Sequence, residues 1–254
     1  MPNRVSNRVS NRAAPLDAPD GVSPYLRELL GDRQAHVDVV RERLFAAYGY
    51  PTFGEPSDPV GGLVGTILSQ HTSNVNSHRA YASLRARFPT WVEVAAAPLL
   101  EVEDAIRSGG LAAQKAPRIQ GMLRGVHERC GAYDLSILHG MPRDEARALL
   151  MSLGSGIGPK TASCVLLFSL GVPAFCVDTH IQRICARLGL IRPKDSPEKA
   201  MRLLEATVPP DDVHAMHVDM IRHGREVCRA QRPRCERCPL LDMCLYGATS
   251  DGRR

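Results

Sequence analysis

Four cysteines near the end of the sequence, Cys228, Cys235, Cys238 and Cys244, stand in the pattern C-x6-C-x2-C-x5-C. Four thiolates so close in sequence can converge on one metal centre. Zinc ribbons usually pair one C-x2-C with a second, whereas only one tight pair exists here. Iron–sulfur clusters are also held by four thiolates. Spacing alone leaves three readings, in this order: a [4Fe–4S] cluster, a zinc site, and unrelated buried cysteines. A disulfide framework is the weaker alternative, because nothing else in the chain looks secreted. The other four cysteines, Cys130, Cys164, Cys176 and Cys185, are scattered through apolar runs and read as small buried hydrophobes. That usage fits a reducing cytosol.

A second group of residues could do carbon–nitrogen chemistry. Leu153-Gly154-Ser155-Gly156-Ile157-Gly158-Pro159-Lys160-Thr161-Ala162 lies between two helical patterns. Gly156 and Gly158 permit positive φ and close backbone approach. The helix that follows at once would point free amides outward, a geometry suited to one phosphate. Ile157 would anchor the hairpin in a core. Turn chemistry alone would explain the glycines equally well. Lys160 falls in the first helical turn, where the positive end of the helix dipole works against an ammonium. That suits it to act as an amine nucleophile, although a solvated lysine touching phosphate is the plainer reading of the residue by itself.

Val177-Asp178-Thr179-His180 follows, with Asp178 eighteen positions after Lys160. The chain can bring the two together. Residues 160–170 as helix advance about 15 Å at roughly 1.5 Å per residue, and eight extended residues can return up to about 26 Å. Gly171 and Pro173 supply the reversal. Asp178 is also a natural N-cap, and a capping carboxylate can still turn one oxygen toward Lys160 and assist proton transfer.

The elements that must position these groups are helical. Apolar residues at three- and four-residue steps predict helices over Asp32–Tyr48, Gly61–Gln70, Asn74–Phe88 and Lys115–Cys130. Pro98 and Pro142 each open a helix, the second ending near Leu153, and Gly109-Gly110 stops the first. Pro159–Leu170 and Thr179–Leu188 follow, then helices from Ser196-Pro197 and around Val213, Met216 and Met220. Pro51–Pro59 is a loop, and no sustained alternation marks a strand. The chain has 254 residues, 44% of them hydrophobic, enough for one large or two medium domains. A net charge of +5 permits nucleic acid without proving it. No apolar run reaches the roughly 18 residues of a membrane helix. The first twenty residues repeat Asn-Arg-Val-Ser and carry no acid before Asp17. They read as a disordered basic tail, with a phosphate-touching arm or a targeting peptide as alternatives.

The hairpin with Lys160, the Val-Asp-Thr-His segment and the 6-2-5 cysteine spacing occur in this order and together resemble the endonuclease III family of DNA base-excision repair glycosylases. The resemblance runs from about Gly61 to Cys244. It implies an all-α, bilobal helix–hairpin–helix fold with a six-helix barrel at residues 52–172. The second lobe, residues 21–51 and 173–248, would carry a [4Fe–4S] cluster on Cys228, Cys235, Cys238 and Cys244. It implies a monomer acting on double-stranded DNA with a damaged base or abasic site, the nucleotide flipped into a pocket between the lobes. The implied setting is the cytoplasm, at the nucleoid of a bacterial-type cell.

By the same resemblance Lys160 attacks C1′ and forms a Schiff base, Asp178 assists, and β-elimination cuts the strand. Lysine at this place implies a bifunctional glycosylase and abasic-site lyase acting on oxidised pyrimidines. Gln70 matches the glutamine that fills the space of the flipped nucleotide, and Leu111 a leucine that wedges opposite the orphan base. Read without the resemblance, they are a helix-end glutamine and a loop leucine. Arg229, Arg232 and Arg234, in the loop between the first two cluster cysteines, would touch phosphates alongside Gly156 and Gly158; a solvated basic loop is the plainer alternative. Two positions depart from the family pattern: Gly154-Ser155 replaces the usual Leu-Pro of the hairpin, and Ser73 stands near a common aspartate. The hairpin change is the basis of a second reading, a damage-binding relative with weak or no turnover. A zinc-bearing nucleic-acid module is a third.

Overall fold

The computed structural model describes residues 21–249. The basic tail expected at 1–20 lies outside them. Thirteen α-helices and no β-strand form among the described residues. They are α1 (Pro24–Gly31), α2 (Arg33–Tyr48), α3 (Pro59–Ser69), α4 (Asn74–Arg87), α5 (Trp91–Ala96), α6 (Leu99–Ala105) and α7 (Ala112–Cys130). Then come α8 (Arg143–Ser152), α9 (Pro159–Leu170), α10 (Thr179–Leu188), α11 (Pro197–Thr207), α12 (Val213–Glu226) and α13 (Leu245–Ala248).

Local chemistry sets most of these ends. Pro159 starts α9 and Gly171, at φ +66°, ends it; Asp178 caps α10. Pro98 and Pro142 sit one place outside their helices, at the N-cap in extended conformation. Three helices escaped the pattern of the sequence. Two have clear starts: Ser23 accepts the Leu26 amide at α1, and Thr90 with Glu93 forms a reciprocal capping box at α5. Their lengths of 8 and 6 residues are too short for apolar periodicity to register.

The protein is bilobal, with two hydrophobic cores. One gathers α3 to α9 around residues such as Leu63, Ile67, Ile119, Leu123, Leu150 and Val165. The other packs α2 against α10, α11 and α12 through Val40, Leu44, Phe175, Ile184, Leu204 and Met216. Helix α9 joins the two: Val165 and Leu166 enter the first core and Leu167 the second. A buried ion cluster reinforces the joint. Glu205 on α11, its side chain 4% exposed, pairs with Arg147 of α8 and accepts the Phe175 amide at 2.9 Å. Burial, the larger influence, raises the Glu205 pKa against the opposing pull of Arg147.

Candidate active site at the lobe junction

Lys160 is exposed in the first turn of α9. The segment after α9 reverses at Gly171, as the spacing allowed, and ends at Asp178. Asp178 Oδ1 accepts the amides of His180 at 2.8 Å and Ile181 at 2.9 Å, so the cap is real and Oδ2 lies outside it. Both charges act on the same two neighbours. The Cys176 hydrogen bond lowers the Cys164 pKa most and burial lowers the His217 pKa most, and on both Asp178 adds a raising and Lys160 a lowering influence. Among the described residues no ion pair joins Lys160 to Asp178, which leaves the amine free to approach a substrate carbon.

The floor beneath them is built from groups the sequence did not single out. His217 of α12 is buried, and burial, as the largest influence, holds its imidazole down at about 4. Its Nδ1 lies 3.4 Å from Cys176 Sγ, and its ring meets Phe168 edge-on at 5.2 Å. Cys176 in turn hydrogen-bonds with Cys164, and burial pushes the Cys176 thiol well up. Cys176 and Cys185 are buried as expected, whereas Cys130 and Cys164 are partly exposed. A cavity of about 330 Å³ lies between α9 and α12, lined by Phe168, His217, Val218, Ile221 and Arg225 among others, and neither Lys160 nor Asp178 lines it.

The hairpin leads directly into α9. Gly156 uses its freedom, at φ +88°. Gly158 is extended (φ −89°, ψ 179°), so its φ does not require glycine; what it offers is open space where a Cβ would stand and so room for a ligand to reach the backbone. Among the described residues the amides of Gly156 and Gly158 donate to no backbone carbonyl, which leaves them available to an anion. Ile157 is buried in the first core. The unusual Gly154 is closely packed: a Cβ there would lie 3.1 Å from the Met122 backbone of α7. Small size at 154 lets the hairpin lie against α7.

Gln70 is the C-cap residue of α3, and its Nε2 donates to the Gly156 carbonyl at 3.2 Å. This ties it to the hairpin. Ser73 caps α4 by accepting the Asn76 amide. Leu111 is 47% exposed and left-handed at φ 52°, ψ 35°. Only His71, Leu111 and Arg232 among the described non-glycine residues have positive φ. Each adjoins or is a residue expected at DNA, and strained backbone of this kind clusters at functional positions.

Sequence reasoning missed Lys115, which is 1% exposed. Its Nζ donates to the carbonyls of Leu68 at 2.7 Å and Gly109 at 2.9 Å, and desolvation lowers its pKa. A lysine three positions into an amphipathic helix gives no local sign of such contacts.

Cys228, Cys235, Cys238 and Cys244 line one cavity with Val227, Pro233, Leu241 and Tyr246. None of the four is in a disulfide. Burial, the dominant influence on both, raises Cys238 to about 12 and Cys244 to about 11, so thiolates here require a cation. Arg187 of α10 donates to Cys228 Sγ at 3.3 Å, to Arg229 O at 2.7 Å and to Ala230 O at 3.0 Å. Arg183, one turn earlier, donates to Cys228 O at 2.9 Å. These two side chains fix the loop that carries Arg229 and Arg232, both exposed, and the half-buried Arg234.

Residues 64–210 match the model of the HhH-GPD superfamily of base excision DNA repair proteins. Residues 228–244 match the iron–sulfur binding domain of endonuclease III. The chain is 34% identical to endonuclease III of Bacillus subtilis (strain 168) over 195 residues, 77% of this chain and 84% of that one. The chain belongs to the endonuclease III family. Two solved structures share its fold at 30% identity. One is a non-covalent endonuclease III–DNA complex, with a TM-score of 0.71, covering 87% of this chain and 99% of that one. The other is a trapped endonuclease III–DNA covalent intermediate, with a TM-score of 0.69 and coverage of 87% and 97%.

As an endonuclease III homologue the protein has a [4Fe–4S] cluster, and the geometry fits that group. The four thiols share one cavity, and the matched iron–sulfur domain spans them. Among the described residues no helix is long and apolar enough to cross a membrane.

Proposed function

We infer that this protein is a bifunctional DNA glycosylase and abasic-site lyase of base-excision repair that removes oxidised pyrimidines from duplex DNA. The observation that carries the reading is the exposed, unpaired Lys160 in the first turn of α9, whose charge and that of Asp178 both act on His217. The relatives' structures hold DNA, one of them covalently.

In this reading uncharged Lys160 Nζ bonds to C1′ as the bond from C1′ to the base breaks. The base departs with the bonding pair and takes up a proton. The sugar C1′–O4′ bond then opens, O4′ gains a proton, and an iminium joins Nζ to C1′. Loss of a C2′ proton expels the 3′ phosphate oxygen and cuts the strand. Asp178, through the oxygen outside its cap, moves protons in these steps and stabilises the positive charge.

Gln70 fills the vacated stack and Leu111 wedges beside the orphan base. The free amides at Gly156 and Gly158 hold one phosphate, and Arg229, Arg232 and Arg234 hold others without reading sequence. Cys228, Cys235, Cys238 and Cys244 carry the cluster, whose part is to order this arginine loop. The division into lobes falls at 52–172 against 21–51 with 173–248. The protein works as a monomer in the cytoplasm, at the nucleoid.

The test is strand cleavage of a duplex bearing one oxidised pyrimidine, in neutral buffer. Base release accompanied by a break without alkali is expected. Breaks appearing only after alkali would overturn the lyase half, and binding without base release would favour the damage-binding alternative.

A further inference from the structure

Lys115 is the most deeply buried cation of the described chain, and nothing acidic pairs with it. Its two acceptors are main-chain carbonyls from different parts of the sequence. Leu68 O is one of the last carbonyls of α3, which have no partner within the helix, and an ammonium there also meets the negative end of the helix dipole. Gly109 O belongs to the turn before α7. Leu68 lies two residues before Gln70, and Gly109 lies two residues before Leu111. The Lys115 amide also donates to Leu111 O at 2.9 Å. One side chain therefore fixes the bases of two loops whose tips are both strained: His71, next to Gln70, at φ 53°, and Leu111 at φ 52°.

Stability does not require a charge at this place. A buried ion is costly, and an apolar residue of the same volume usually holds a core as well or better. What the ammonium adds is a fixed distance between two carbonyls.

We propose that Lys115 is a positioning residue for DNA opening: it sets the separation of Gln70 and Leu111 so that both enter the duplex together. The proposal rests on the reading that these two residues contact DNA. It assigns the lysine no chemistry on the sugar.

The test compares the unmodified protein with Lys115→Met, Leu111→Ala and the double variant. Two substrates are used: a lesion-bearing strand in duplex, and the same strand alone, where no partner base has to be displaced. The readout is the ratio of single-turnover rates, duplex over single strand. The second readout is fluorescence of 2-aminopurine placed opposite the lesion, which rises when stacking is lost. Lys115→Met is expected to lower the ratio by about tenfold to a hundredfold, as small misplacements do, and to remove most of the fluorescence rise. Leu111→Ala should lower the same ratio, and the double variant should fall no more than about twofold further, because the two act as one unit.

Equal losses on both substrates, or additive losses in the double variant, would overturn the proposal. Should Lys115→Met not fold, Lys115→Gln keeps a donor and should give an intermediate ratio; an unchanged ratio would count against the clamp. If the unmodified protein cleaved neither substrate, the functional reading itself would have failed, a result distinct from failure of the clamp.

Discussion

Asp178 accepts two amides at the start of α10 through one oxygen and leaves the other outside the cap. Asparagine caps nearly as well as aspartate, so Asp178→Asn should leave the melting temperature within a few degrees and still lower single-turnover cleavage about a hundredfold or more. Asp178→Ala should lose the cap as well, about 1 kcal/mol, seen as a lower melting temperature. Asp219 on α12 offers a separate test. It is 1% exposed, both its oxygens lack partners, and desolvation raises its pKa to about 6. The folded pKa lies above the unfolded one, so its contribution to stability is present below about pH 4 and is lost as pH rises through 6. Asp219→Asn should therefore stabilise the protein by roughly 2 kcal/mol at pH 7–8 and by little near pH 4, as read from denaturant titrations at both pH values. At this scale the four-cysteine segment was legible because its residue type and spacing are themselves the signal, and the cap at Asp178 was legible for the same reason. Lys115, His217 and Cys176 were not, since their partners lie far away in sequence and nothing local marks them.

Helix ends carry most of what could be read at the scale of elements. Helices α9 and α10 fall where Pro159, Gly171 and Asp178 put them. The starts of α1 and α5 are written equally plainly in Ser23-Pro24 and Thr90-x-x-Glu93, but without a long apolar stripe behind them they pass for loop. How helices pack was less legible. Gly154 looked like a weakness in the hairpin until its proximity to α7 was seen. A Gly154→Leu change, toward the family's usual residue, should therefore clash with the Met122 backbone and destabilise by about 1–3 kcal/mol, measurable by thermal or urea unfolding. The Glu205 cluster is the other long-range feature. Glu205→Ala leaves Arg147, itself 10% exposed at the side chain, without its buried partner. The expected cost is about 3–5 kcal/mol, and because Glu205 joins α8 to α11, unfolding should split into two transitions as the lobes uncouple.

At the scale of the whole molecule, α9 ties the two hydrophobic cores together. Helix α9 enters both cores, and Lys160, the nucleophile of the proposed function, stands in its first turn. Residues 228–244 form only short helical turns and depend on their thiols for order. Cys244→Ser should abolish the cluster's absorption near about 400 nm and loosen the arginine loop. Arg229→Ala or Arg232→Ala should each weaken binding evenly across DNA sequences and reduce the salt dependence of the affinity by about one unit of slope. The most direct measurement is borohydride trapping on a duplex with one abasic site, comparing the cluster-loaded protein with Lys160→Ala. A covalent protein–DNA band that is lost in the variant is the predicted result. A band that persists without Lys160, or no band from the intact protein while it still binds the duplex, would contradict the assignment of Lys160 as the nucleophile.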